Sequence, residues 1–184
     1  KQEVFDHRIS GPLMRGMHHI AVDREAGSAS FREALTALKG GEIVGVFPEA
    51  TISRSFELKE FKAGAVRMAA AARVPILPAV IWGSQRVWTK DHPKRMGRTK
   101  TPITVRVGEP LVVEPKADMA AVTDVLRTQM TSMLHEVQEN YPDTPPVPSE
   151  AWWLPARLGG GAPTPVEAAR LDDAERDARA QRRA

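Results

Sequence analysis

Cysteine is absent from the 184 residues. Its absence excludes a disulfide framework, a cysteine-ligated zinc and a thiol nucleophile, and it fits a reducing compartment. An uninterrupted apolar span is missing as well. The longest apolar stretch, 63–82, is broken by Arg67, Arg73, Pro75 and Pro78, whereas a membrane-crossing helix needs roughly 20 mostly apolar residues. No leader with an apolar middle region stands near Lys1, and a start at lysine is expected of a truncated or processed chain. Charge of one sign is scarce: 26 Lys and Arg against 23 Asp and Glu leave +3, too little to imply nucleic acid. His7, His18, His19, His92 and His135 have no metal-ligand spacing with carboxylates, so no metal is expected. Gly159–Gly161 lacks the Lys-Ser/Thr of a phosphate loop and reads as flexible. There is no internal repeat.

What is present is ordinary globular material, 42% hydrophobic and 27% charged, long enough to bury a core in one domain. Residues 1–16 read as a short extended piece with a turn at Gly11-Pro12, and His19–Val22 as a buried strand ending at Asp23-Arg24. A helix follows, with Ser30 and Glu33 at capping-box spacing and Phe31, Ala34, Leu35 and Leu38 on one face, ended by Gly40-Gly41. Glu42–Phe47 reads as a short buried strand and 62–73 as an Ala-rich helix. Apolar runs at 74–82 and 103–107 are further strands, the latter closed by Gly108-Glu109-Pro110. Asp118 caps a long helix whose apolar positions Met119, Val122, Leu126, Met130, Met133 and Val137 recur every three or four residues. Alternating strands and helices predict an α/β fold with a largely parallel central sheet flanked by helices.

The pattern changes at Tyr141. Four prolines between 142 and 148 predict an extended linker over 141–166, in which Trp152 and Trp153 serve either as interfacial anchors or to fold the linker back. From Glu167 on, five acids and five bases mixed with alanine predict an exposed helical tail over 167–184.

Chemistry concentrates at 46–55, where an apolar strand ends in Phe47-Pro48-Glu49 and leads into a loop with Thr51, Ser53, Arg54 and Ser55. In α/β sheets ligands bind beyond the carboxyl ends of strands. A carboxylate, hydroxyls and a guanidinium there suit a polar, anionic group, since the planar fork of arginine matches phosphate oxygens. Asp23-Arg24, at a second strand end, and 74–78 are further candidates. Between Gln85 and Arg106 seven basic residues face one acid, Asp91, with Trp82 and Trp88 at or beside them. Such a loop suits an anionic lipid surface, the phosphates of coenzyme A, nucleic acid, or plain solvent.

In this order the segments resemble those of the glycerolipid acyltransferases, specifically the 1-acyl-glycerol-3-phosphate (lysophosphatidic acid) acyltransferase type. Phe47-Pro48-Glu49-Ala50-Thr51-Ile52-Ser53 is similar to the family's acceptor block Phe-Pro-Glu-Gly-Thr-Arg-Ser. Ile20–Arg24 resembles its apolar strand ending in Asp-Arg, Lys62-Ala63-Gly64-Ala65 its Lys-x-Gly-Ala, and Val74–Pro78 its Val-Pro-Ile-x-Pro. The resemblance covers about residues 1–140, which it marks as the acyltransferase domain, with a glycerol-3-phosphate acyltransferase-like fold.

The resemblance implies acyl transfer from acyl-CoA or acyl carrier protein to the free hydroxyl of a lysophospholipid. It assigns Asp23, Arg24, Glu49, Ala50, Thr51, Ser53 and Arg54 to the acceptor head, with no metal or redox cofactor. It also implies peripheral attachment to the cytoplasmic face of a bacterial membrane, with 85–106 touching anionic lipid and no nucleic-acid partner. Arg outnumbers Lys 18 to 8, as GC-rich bacterial coding favours. Two departures stand out: Ala50 replaces the usual glycine, and Ile52 replaces the usual arginine, with Arg54 two residues on as its substitute. The family's catalytic His-x4-Asp belongs upstream of the Asp-Arg block by tens of residues, before this chain starts. His18 and Asp23 share that spacing, but on a strand positions five apart face opposite sides, so His18 is a decoy. The alternative function is a non-catalytic lipid- or membrane-binding module that keeps the acceptor pocket.

Overall fold

A computed structural model describes residues 6, 8, 10–20, 28–49 and 51–182. The elements run α1 (Ser10–Gly16), α2 (Ser28–Lys39), α3 (Gly64–Ala72), β1 (Ala79–Trp82), β2 (Thr104–Val107), α4 (Met119–Glu139) and α5 (Pro165–Gln181). Short 3-10 segments lie at Ser84–Arg86, Pro148–Trp153 and Ala156–Leu158. The chain forms two compact units, one of Lys1–Pro48, Lys62–Ile76 and Leu111–Thr123, the other of Glu49–Phe61, Leu77–Pro110 and Asp124–Ala184.

In the first unit α1 occupies 10–16, where an extended piece and a turn were expected. Pro12 fits there because a first-turn residue has no intrahelical acceptor for its N–H to lose. Helix α2 begins at Ser28, two residues before Ser30, so Ser30 lies inside the first turn and is not the cap. Its end is as expected: Gly41 takes φ 85°, and Glu42 N–H reaches back to Ala37 O at 3.0 Å, the glycine-terminated helix end that needs a left-handed residue. Helix α3 packs against α2 and buries Val66, Ala69 and Ala70, while α2 buries Ala34; small side chains on both faces let the backbones approach. Arg73 ends α3 in the left-handed conformation. Asp118 Oδ1 accepts from Ala120 N–H at 2.9 Å and so caps α4 as its position predicts.

Among the described residues the second unit holds a two-stranded sheet, and its pairing is not the parallel one expected. β1 and β2 pair antiparallel, with Ala79 opposite Val107 and Trp82 opposite Thr104. Parallel pairing needs a crossover that carries the chain back to the starting end of the first strand. The 83–103 connection contains only the turn Ser84–Arg86 as regular structure, and the chain re-enters beside the end it left. The run Glu42–Phe47 forms no strand ladder among the described residues; Ile43 and Phe47 are 94% and 85% exposed. A strand exists only where a neighbour completes its hydrogen bonds, and none of the described residues does so here.

The core of the second unit gathers Phe56, Val80, Trp82, Met133, Leu134, Val137, Tyr141, Trp153 and Ala162. Val80 and Trp82 are the inward positions of β1, and Met133, Leu134 and Val137 the inward face of α4. The aromatic rings meet edge to face: Phe56 with Trp82 at 6.3 Å, Trp82 with Tyr141 at 6.3 Å, Tyr141 with Trp153 at 5.6 Å. Their quadrupoles favour this geometry over a face-to-face stack. The 141–166 stretch, expected as an extended linker, thus supplies three core side chains, Tyr141, Trp153 and Ala162. Its prolines bend the chain into short 3-10 segments, and the buried rings make that bend favourable. Of the two tryptophans, Trp153 is in the core and Trp152 stacks on His92 at 4.1 Å.

Candidate functional site

The loop that follows Phe47-Pro48 is held at both ends by backbone N–H groups. Lys62 N–H donates to Pro48 O at 3.0 Å. Lys59 N–H donates to Glu49 Oε2 at 3.0 Å, so the carboxylate of Glu49 closes an eleven-residue loop from 49 to 59. Burial raises the Glu49 pKa above the usual carboxylate value, and the bond from Lys59 and the charge of that lysine offset only part of the rise. Inside the loop Ser53 Oγ lies 3.0 Å from Ser55 Oγ, and Glu57 N–H donates to Ser55 Oγ at 3.3 Å. Phe56 is pressed into the core with φ 58°, a left-handed conformation costly for a ring-bearing residue, and Gln138 Nε2 holds its carbonyl at 3.0 Å. Thr51 and Ile52 face solvent.

Arg54 does not extend toward solvent. Its side chain is only 9% exposed and is divided among three carboxylates: Nε to Asp91 at 2.6 Å, Nη1 to Asp172, and Nη2 to Glu175 at 2.9 Å. Lys59 and Lys90 join the same group. Lys59 pairs with Asp172, and Lys90 lies 3.4 Å from Asp172 and 3.1 Å from Glu175. Hydrogen bonding by Asp91 leads the effects that raise the Arg54 pKa above its already high value. Burial pushes Asp172 up, but the bonds and charges of Lys59 and Lys90 outweigh it, and its pKa lies below the usual one. Bonds from Arg54 and then Lys90 hold Glu175 down to about 2.

Carboxylates with lowered pKa stabilise the folded state fully above their unfolded values, 3.8 and 4.5 here, and that contribution fades as pH falls through the folded values. Glu49, with a raised pKa, works in the opposite sense: its contribution is full below its unfolded value and is lost as pH rises through the folded one. Circular dichroism is therefore expected to show α5 weakening between pH 4.5 and about 2. An Asp172→Asn/Glu175→Gln variant is expected to lack that acid step. The same step in the variant would assign it to other carboxylates.

Of the sequence-predicted site residues, Glu49, Ser53 and Arg54 are brought into one bonded loop, Thr51 points away from it, and Asp23, Arg24 and Ala50 lie outside the described residues. His18 is exposed in the turn after α1, with φ 56°, rather than at the start of a strand; Asp23, its partner in spacing, is outside the described residues. The basic run 85–106 is partly spent on internal partners. The guanidinium of Arg86 sits 4.4 Å over Trp153 and pairs with Asp143, Arg106 pairs with Glu136, and Lys94 lies 4.3 Å over the exposed Trp88 ring. Lys59, Asp172 and Glu175 are the residues sequence reasoning missed, while Lys90 stood in the basic run 85–106 without being placed beside Arg54. The available signal was the three-residue spacing of Asp172 and Glu175, which places both on one helix face. Among the described residues no group of side chains is arranged to hold a metal ion, and no helix is long and apolar enough to cross a membrane. A solvent-open groove of about 440 Å³ runs along α4, lined by Arg127, Thr128, Thr131, Ser132 and His135.

An acyltransferase family model matches residues 1–82. The 1-acyl-sn-glycerol-3-phosphate acyltransferase of Bacillus subtilis is 31% identical over 146 residues, covering 76% of this chain and 69% of that protein. The enzyme of the same name from Limnanthes douglasii is 32% identical over 115 residues, 60% of this chain and 40% of its own. Among solved structures, the 1-acyl-sn-glycerophosphate acyltransferase of Thermotoga maritima superposes with a TM-score of 0.61 at 22% identity. That match covers 77% of this chain and 56% of the other, a likeness of fold. The chain thus spans 69% of the bacillary relative but only two fifths of the plant one.

Proposed function

The chain belongs to the 1-acyl-sn-glycerol-3-phosphate acyltransferase family, and from that premise we propose that it moves a fatty acyl group from an acyl thioester to the free hydroxyl of a lysophosphatidate-type acceptor. The hydroxyl oxygen attacks the thioester carbonyl, a C–O bond forms, the C–S bond breaks, and the hydroxyl proton ends on the departing thiol. The donor is acyl-CoA or acyl carrier protein, and no metal or redox group takes part, because the thioester supplies the driving force. The observation that carries the reading is the loop 49–59, built on the Phe-Pro-Glu block and closed by the Glu49–Lys59 bond. That closure presents Thr51 and Ile52 to solvent beside a buried arginine. Asp23 and Arg24 belong to the same acceptor site in this reading.

The reading includes a largely parallel central sheet of the glycerol-3-phosphate acyltransferase type, which the alternation of apolar runs and helices along the sequence supports. It also places the protein peripherally on the cytoplasmic face of a bacterial membrane. Exposed Trp88 and Met96 beside Lys94 in the 85–106 segment suit anionic lipid.

The test is release of coenzyme A that depends on lysophosphatidate, in the protein made from its whole coding sequence. Glu49→Ala removes the acceptor for Lys59 N–H. Hydrogen bonds to charged groups contribute about 1.5–3 kcal/mol, and 1.4 kcal/mol is about tenfold. The acceptor KM is expected to rise about tenfold or more with helix content retained. Glu49→Gln, which keeps an acceptor oxygen, is expected to recover much of that loss. Unchanged acceptor kinetics in Glu49→Ala would remove this loop from the site. Saturable vesicle binding with no turnover in the unaltered protein would leave a lipid-binding module instead.

A further inference from the structure

Helix α5 is attached to its unit in an unusual way. Only Ala168 along its length is buried among the residues that define its packing, while Val166 and Leu171 stay exposed. Apolar burial, the usual anchor of a helix, is therefore slight. What holds α5 is charge. Three of its carboxylate oxygens converge on three cations: Asp172 Oδ1 on Arg54 and Lys90, Asp172 Oδ2 on Lys59, and Glu175 Oε2 on Arg54 and Lys90. Arg54 and Asp172 are 9% and 11% exposed, so the centre of the cluster is largely shielded from water.

The count and charge of these oxygens match a phosphate monoester. Its group offers three terminal oxygens and about −1.5 to −2 charge near neutral pH; Asp172 and Glu175 together turn three oxygens and −2 to the cradle, the fourth oxygen, Glu175 Oε1, pairing with Arg179 on the helix itself. The guanidinium of Arg54, its Nε held by Asp91 at 2.6 Å and its two Nη groups turned to the helix, is flanked by two ammonium groups, and these donors recognise either. The helix carries these two acids on one face, three residues apart, and turns Asp173 away, paired with Arg176 on the outside. Thr164 and Glu167 cap only the N-terminus of α5, and a helix of this length without tertiary contacts is marginal in water, so leaving the cluster loosens it.

We propose that Asp172 and Glu175 form an internal anionic ligand of the Arg54–Lys59–Lys90 cradle, and that a phosphate monoester competes with them for it and releases α5. The inference rests on the acyltransferase reading only in naming a lysolipid phosphate as one source of that ligand; free phosphate is the other. In the resting protein Arg54 is withheld from any acceptor, and substrate binding carries the cost of displacing the helix.

Amide hydrogen exchange over residues 165–181 reads the latch in the protein as it stands. Inorganic phosphate is expected to speed exchange there about tenfold or more, saturably, while sodium chloride at equal ionic strength does so far less, since close buried pairs are weakly screened. Lysophosphatidate in neutral micelles forms the second arm. Release by both ligands identifies the phosphate group alone as sufficient; release by lysophosphatidate only identifies the lipid headgroup as the source; either supports the proposal. In titration calorimetry, Asp172→Asn/Glu175→Gln is expected to bind inorganic phosphate or lysophosphatidate about tenfold tighter than the unaltered protein, because the internal competitor is gone. Exchange in α5 that neither ligand alters, or a double variant that binds them no tighter, overturns the proposal. Coenzyme A release is scored separately: displacement of α5 without turnover leaves the latch standing and removes the enzyme reading, and turnover with an immobile α5 does the reverse.

Discussion

Trp153→Ala is expected to lower the stability of the protein by about 3–5 kcal/mol, the range for truncating a large aromatic in a packed interior. Trp153 is 4% exposed. Its ring meets Tyr141 at 5.6 Å and carries the Arg86 guanidinium at 4.4 Å, so the substitution opens a cavity and leaves that cation only the more distant Tyr141 ring, at 5.9 Å. The neighbouring Trp152→Ala supplies the contrast. Trp152 is only half-buried and stacks on His92, and its removal is expected to cost about 1 kcal/mol, the range of an aromatic pair. Urea denaturation followed by circular dichroism measures both. Equal, small losses would return 141–166 to the status of a loose linker.

Gly83→Ala is the second substitution with a large expected effect, about 3 kcal/mol or more. Gly83 has φ 98°, and a Cβ there would lie 2.1 Å from Pro102 O and 2.7 Å from the Tyr141 hydroxyl. A left-handed conformation costs a residue with a side chain about 1–2 kcal/mol, and overpacking adds about 1–3 kcal/mol. The neighbours cannot easily yield. Pro102 O is a backbone atom and accepts from Tyr141 Oη at 2.6 Å, while Gly83 N–H is itself held by Gln85 Oε1 at 2.8 Å. A shift in the urea midpoint worth less than about 1 kcal/mol would show that the 102 carbonyl does not approach Gly83 this closely. Both substitutions strain the contacts of Tyr141, so the double variant is expected to lose less than the two single losses added together.

Helices were the most legible elements. The Asp118 cap, the three-to-four spacing of Leu126, Met133 and Val137, and the Gly40-Gly41 stop each act through neighbours within one or two turns, and each is present in the structure. Strands were less so. The apolar run 79–82 found its partner at 104–107, while the equally apolar 42–47 pairs with nothing among the described residues, because a strand depends on an edge supplied from elsewhere. The Phe47-Pro48-Glu49 block pointed to the loop as an acceptor site; the structure shows Glu49 closing that loop on Lys59 N–H and Arg54 already claimed by carboxylates.

What the sequence determined by itself is the family, the longer helices and the position of the polar loop. These rest on local order: which residues follow which, and which share a helix face. Only the tertiary structure decided which charges are free. Asp172 lies 118 residues from Arg54 and 113 from Lys59, and Trp153 lies 68 residues from Gln85, whose amide reaches its carbonyl. No spacing rule extends that far. A proline-rich stretch becomes core and an exposed-looking acidic face becomes a ligand because burial and ion pairing are settled by what the folded chain brings within a few ångströms.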